Sequence, residues 1–94
     1  MTDDPSRMPT EIAHVLFMDL VGYSRLSIEK QALLVGELRD LVRSTPEFQR
    51  AERRSELIIR DTGDGMALVF SRDPSAPVRC AVEVAHALTA RPHL

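Results

Sequence analysis

The chain has 94 residues, 44% of them hydrophobic and 28% charged, with a formal net charge of -2. That length allows at most one small domain, and the balance is that of a globular protein rather than a disordered one. The slight negative charge leaves no basic footprint for nucleic acid, and no run approaches the ~20 apolar residues of a membrane span. A single cysteine, Cys80, excludes an internal disulfide framework and a cysteine metal cluster.

Residues 1–10 hold two prolines and the pair Asp3-Asp4. They are expected to form a flexible N-terminal tail ahead of one domain over 11–94. This acidic start is not a secretory signal, so the expected compartment is the cytoplasm. Residues 12–18 form a short, nearly continuous apolar run bounded by Asp19 and Gly22. The run is too short for a helix and predicts a strand covered on both faces.

Ser27 is a candidate helix cap, with Glu29 in the first turn. Leu34, Leu38, Leu41 and Val42 then recur at helical spacing. Pro46 ends this element or breaks it. Residues 47–55 are polar and are open between a frayed helix and a loop.

Residues 56–60, the turn Asp61-Thr62-Gly63-Asp64-Gly65 and residues 66–70 read as a β-hairpin, with Gly63 and Gly65 as turn glycines. A second helix follows, with Ser75 as candidate cap and Pro77 in its first turn. Its expected buried stripe is Val78, Ala81, Val82, Ala85 and Leu88. The order strand, helix, strand, strand, helix predicts an α+β fold of the ferredoxin-like sandwich type. It is expected to be incomplete, because the sequence stops at Leu94 where that order has a further strand.

In such a sheet the first and third strands are antiparallel neighbours. Asp19, closing the first, is then expected beside Asp64, opening the third. Two adjacent carboxylates repel unless a cation stands between them. Oxygen-only donors favour Mg²⁺, Mn²⁺ or Ca²⁺ over zinc. The segment Leu20-Val21-Gly22-Tyr23-Ser24 leads from the strand end towards a helix. Free backbone N–H groups in such a turn suit a phosphate. Asp61 is expected to be solvated. His14, His86, His93 and Cys80 are not expected to act as ligands or nucleophiles.

The run Val15-Leu16-Phe17-Met18-Asp19-Leu20-Val21-Gly22-Tyr23-Ser24 resembles the opening motif of class III nucleotidyl cyclase (adenylate/guanylate cyclase) domains. Thr62-Gly63-Asp64-Gly65-Met66-Ala67-Leu68-Val69-Phe70 resembles their second motif. The resemblance covers roughly residues 12–91, the N-terminal half of such a domain. It implies that Asp19, Asp64 and the Leu20 backbone carbonyl hold two Mg²⁺ or Mn²⁺ ions, and that residues 20–24 hold the triphosphate. Arg60 stands where the family carries a purine-reading lysine, and arginine differs from lysine in shape and reach. The substrate implied is ATP or GTP, cyclised by attack of the ribose 3′-oxygen on the α-phosphorus with loss of pyrophosphate.

The resemblance also implies a homodimer, or a heterodimer with another cyclase domain. The Asn and Arg that the family uses at the transition state have no counterpart among these residues, so the chain is expected to be inactive alone. A regulatory module pairing with a full cyclase domain is the alternative. A receiver domain phosphorylated on Asp19 fits poorly, because receivers alternate strand and helix throughout and this chain has a hairpin.

Overall fold

The computed structural model describes residues 11–94; the tail expected over residues 1–10 lies outside the described residues. The elements in order are β1 (His14–Asp19), α1 (Ile28–Arg43), α2 (Pro46–Arg53), β2 (Leu57–Asp61), β3 (Gly65–Phe70) and α3 (Ala76–Leu88), with a 3-10 turn at Tyr23–Arg25 between β1 and α1. The strands form one antiparallel sheet in the order β1-β3-β2. The fold is therefore α+β, with a three-stranded sheet and helices on one of its faces. Among the described residues no helix is long and apolar enough to cross a membrane.

Local chemistry accounts for most of the boundaries. The Ser27 hydroxyl accepts the Lys30 N–H at 3.2 Å and starts α1, and Leu38, Leu41 and Val42 are its buried face. Residues 46–53 are helical, which resolves the segment left open between helix and loop. Pro46 does not merely end α1; it occupies the first turn of α2, where its missing N–H has no intrahelical partner to lose. Phe48 and Ala51 bury the inner face of α2. Its N-terminus is capped from α3, where the Glu83 carboxylate accepts the Glu47 N–H at 2.8 Å.

Glu47 is itself only 4% exposed. Its carboxylate accepts from Arg79 at 2.9 Å and also pairs with Arg50, while Arg79 pairs further with Asp73. The Arg79 hydrogen bond holds the Glu47 carboxyl below its ordinary value, against the opposing effect of burial. Asp73 is lowered as well, chiefly by Arg79. A carboxyl lowered on folding contributes stability above its unfolded value, and that contribution is lost as pH falls through the folded value. The melting temperature should therefore drop as the pH falls below the ordinary Glu and Asp values of 4.5 and 3.8. Glu47→Gln should flatten that slope, which thermal melts at each pH would read.

Two burial expectations change. β1 is covered on one face only: Leu16 and Met18 pack on the core, while Val15 and Phe17 turn away and Phe17 is 67% exposed. The apolar run looked buried on both sides, yet the helices lie on one face of the sheet. In α3 the buried residues are Ala76, Pro77, Cys80 and Val84, with Ala87 and Leu88 against the core. Of the expected stripe Leu88 does pack on the core and Ala81 is half-buried, but Ala85 is exposed and Val78 and Val82 are each 64% exposed. This helix is apolar on two stripes, and periodicity alone does not say which one faces the sheet.

Ser75 makes no side-chain cap. Asp73 does the capping, accepting the Ser75 N–H at 2.9 Å on its carboxylate and the Ala76 N–H at 3.1 Å on its carbonyl. Cys80 is fully buried, and burial raises its thiol pKa, so it is a packing residue.

Candidate metal centre

The antiparallel register of β1 and β3 sets Asp19 opposite Gly65, with Asp64 the residue before it. The pairing continues one step past the strand ends, where the Leu20 N–H donates to the Asp64 carbonyl at 2.8 Å. Asp19 and Asp64, 45 positions apart by their numbers, thus sit on adjacent backbones at one end of the sheet. Asp19 is exposed and Asp64 half-buried.

Gly65 allows this approach. A β-carbon at that position would stand 1.7 Å from the Met18 carbonyl oxygen and 2.8 Å from the Asp19 Cα. Gly65, expected as a turn glycine, is therefore the first residue of β3, where close strand approach requires it. Gly63 supplies the left-handed bend of the hairpin at φ 90°. The Asp61 carboxylate accepts the Gly63 N–H at 2.9 Å, closing an Asx turn.

Asp61 is not simply solvated. Its other oxygen pairs with Arg39 of α1 at 2.8 Å, on the helix side of the sheet. Asp19 and Asp64, by contrast, have no cationic side chain within ion-pair distance among the described residues. The turn thus gives its two acids different surroundings: Asp61 is paired with an arginine, whereas Asp64 has no cationic side chain beside it among the described residues. Sequence reading missed the Arg39 partner, although the Asp-x-Gly spacing is itself a signal for the Asx turn. It also missed Thr62, whose hydroxyl stands 3.5 Å from the Asp19 carboxylate, at the outer limit of a hydrogen bond.

The segment after Asp19 divides in two. The Leu20 N–H is already committed to Asp64, so Leu20 offers a ligand only its carbonyl. Gly22 is left-handed at φ 75°, ψ 14°, and opens the 3-10 turn, with the Arg25 and Leu26 N–H groups donating back to the Gly22 and Tyr23 carbonyls. Val21 and Gly22 form a turn that leads into the 3-10 segment. Gln31 ties the turn to α1 by donating to the Tyr23 carbonyl at 3.0 Å.

Arg60 follows the alternation of β2. Leu57 and Ile59 pack on the core, so Ile58 and Arg60 face the open side, as do Val15, Phe17 and Asp19 of β1. Ala67 of β3 is the register partner of both Phe17 and Arg60. Arg60 therefore shares a face with Asp19, but β3 lies between them.

The residues present fit a hard divalent cation. They are oxygen donors only, two carboxylates and the Leu20 carbonyl, on neighbouring strands. No cluster of three or more His, Cys, Asp or Glu is poised for a metal among the described residues. An ion here would complete its shell with water and phosphate oxygens, the usual habit of Mg²⁺. A cavity of about 320 Å³ opens beside Asp19 between α1 and α3. Its walls include Leu34, Leu38, Val84 and Leu88, an apolar lining unsuited to a triphosphate. Comparison of the chain with protein-family models, with curated proteins and with solved structures found no match.

Proposed function

We propose that the chain is the metal-binding half of a class III nucleotidyl cyclase domain, built on part of a ferredoxin-like sandwich, and that it holds a divalent-cation complex of ATP or GTP. The observation that carries this reading is that β1–β3 pairing sets Asp19 opposite Gly65 and continues to a 2.8 Å hydrogen bond from the Leu20 N–H to the Asp64 carbonyl, so that the two acids lie on adjacent backbones. The strand order β1-β3-β2 supports it, since an antiparallel sheet of this order is what the sandwich requires of its first three strands.

In this reading Asp19, Asp64 and the Leu20 carbonyl hold the cations, the amides of residues 21–24 hold phosphate oxygens, and Arg60 faces the base. Divalent cations, when bound, neutralise phosphate charge and acidify the attacking ribose hydroxyl. The transition-state groups that the resemblance requires lie outside these residues, so binding without turnover is expected.

Isothermal titration of the chain with ATP and with GTP, each with and without Mn²⁺, tests the proposal. Saturable binding that needs Mn²⁺ is the expected result. A folded chain that binds neither nucleotide refutes it, and cyclic nucleotide formation by the chain alone refutes the expected inactivity. The exposed edge of β1 favours one second reading, a non-catalytic module that pairs with a full cyclase domain. Mn²⁺-independent suppression or stimulation of such a domain would support it.

A further inference from the structure

We propose that Gln31 is a positioning residue for the turn that follows Asp19, holding its backbone against α1 in the arrangement that receives the nucleotide's phosphates. The inference rests on the function proposed above. It adds a residue of α1 that lies outside both motifs.

The segment from Leu20 to Ser27 is pinned at both ends. At one end the Leu20 N–H donates to the Asp64 carbonyl at 2.8 Å. At the other, Ser27 caps α1 by accepting the Lys30 N–H on its hydroxyl. Between them the chain reverses at Gly22, left-handed at φ 75°, and makes the short turn Tyr23–Arg25. The bonds within this turn run from the Arg25 N–H to the Gly22 carbonyl and from the Leu26 N–H to the Tyr23 carbonyl. Bonds of that kind fix the curl of a turn, but not its angle to the helix that follows.

Gln31 supplies that angle. It stands one helical turn past the cap, its N–H donating to the Ser27 carbonyl at 2.9 Å. Helix side chains lean towards the N-terminus, so its carboxamide reaches back over the turn. The nitrogen donates to the Tyr23 carbonyl at 3.0 Å and to the Leu26 carbonyl at 3.3 Å. A carboxamide nitrogen carries two N–H groups, and here it has two carbonyls to receive them. The same pair of acceptors fixes which end of the amide faces the turn, since its oxygen would meet two other oxygens. Gln31, Tyr23 and Leu26 are all half-buried, so these bonds are shielded from competing water. A turn held in place before the ligand arrives spares the ordering cost at binding. Glutamate and methionine match glutamine in length and suit a helix about as well. The two donors are what distinguish it.

Gln31→Met and Gln31→Glu test this, with Ala32→Glu adding the same charge at an exposed neighbour as a control. These substitutions keep good helix formers in α1, so far-UV circular dichroism should match the parent. Amide hydrogen exchange should quicken over residues 21–26 in both Gln31 variants and keep parent rates over β3. Tyr23 is the one tyrosine, and the chain has no tryptophan, so fluorescence anisotropy reads the same turn and should fall. Titration with Mn²⁺–ATP and Mn²⁺–GTP should show affinity lowered by about tenfold in Gln31→Met. The loss should be larger in Gln31→Glu, whose carboxylate would face both carbonyls, and within about threefold in Ala32→Glu. Mn²⁺ alone should bind every variant within about threefold of the parent, because Gln31 contacts neither Asp19 nor Asp64. A loss confined to nucleotide is what separates positioning of the turn from general destabilisation. Parent-like nucleotide affinity in both Gln31 variants, unchanged exchange over residues 21–26, or equal loss of Mn²⁺ and nucleotide would each overturn the proposal and leave the Asp19–Asp64 reading standing. A folded parent chain that binds neither nucleotide would overturn that reading, and this inference with it.

Discussion

Asp19→Ala should weaken Mn²⁺–nucleotide binding by on the order of 100-fold, and Asp64→Ala should do the same. On the proposed reading each removes one of two carboxylates that serve the same metal centre, and the survivor is then a single acid at the end of the sheet. The losses should not add: the double variant should bind no more weakly than the worse single, because on the proposed reading both residues act through the same metal centre. Asp61→Ala is the informative control. It lies three positions from Asp64, yet its carboxylate serves Arg39 and the Gly63 amide. Removing it should leave binding within about threefold and cost no more than about 1 kcal/mol of stability, since that ion pair is exposed. Titration calorimetry on the three variants would check this. Binding lost with Asp61→Ala and kept with Asp64→Ala would place the site on the wrong acid.

Gly65→Ala should be the most destabilising single-methyl change in the chain. The added carbon would overlap the Met18 carbonyl at 1.7 Å, and that obstacle is backbone, not a side chain free to turn aside. Relief requires β1 and β3 to part at the end where Asp19 and Asp64 meet. A cost of about 3 kcal/mol or more is expected, a large share of the ~5–10 kcal/mol that a domain of this size has in total. Thermal denaturation should show a fall of roughly 10–20 °C in Tm. Any fraction that still folds should bind Mn²⁺–nucleotide poorly, because the two carboxylates no longer share a rim. Gly36→Ala is the contrast. A β-carbon there meets nothing within 4 Å, and inside α1 the change should stabilise by up to about 1 kcal/mol. Similar stability for the two variants would show that close strand approach is not why residue 65 is glycine.

The neighbouring position of Asp19 and Asp64 was more legible in the sequence than the packing around them. Asp19 follows an apolar run and Asp64 sits in a glycine-bounded turn; both patterns are local, and antiparallel pairing of the two strands then leaves little freedom in where the acids fall. Burial was harder to read. Val78 and Val82 belong to as good an apolar stripe as Cys80 and Val84, and only the sheet's position selects between them. Glu47 is polar in a polar segment, so nothing nearby in sequence announces that Arg79 and Glu83, more than thirty residues away, would make it a buried anchor. The cap at Asp73 rather than Ser75 was missed for a smaller reason: both residue types cap well, and the hydrogen bonds alone distinguish them.

By itself the sequence determined the element types apart from α2, the hairpin and the two candidate acids, because turn chemistry, strand alternation and helix capping act over a few residues. The tertiary structure decided what those elements face: among the described residues helices cover one side of the sheet only, Asp61 is paired from α1 while Asp64 is not, and Val78 and Val82 of α3 stay exposed. These outcomes depend on contacts between segments distant in the chain. Their energies come from burial and ion pairing, which no local pattern encodes.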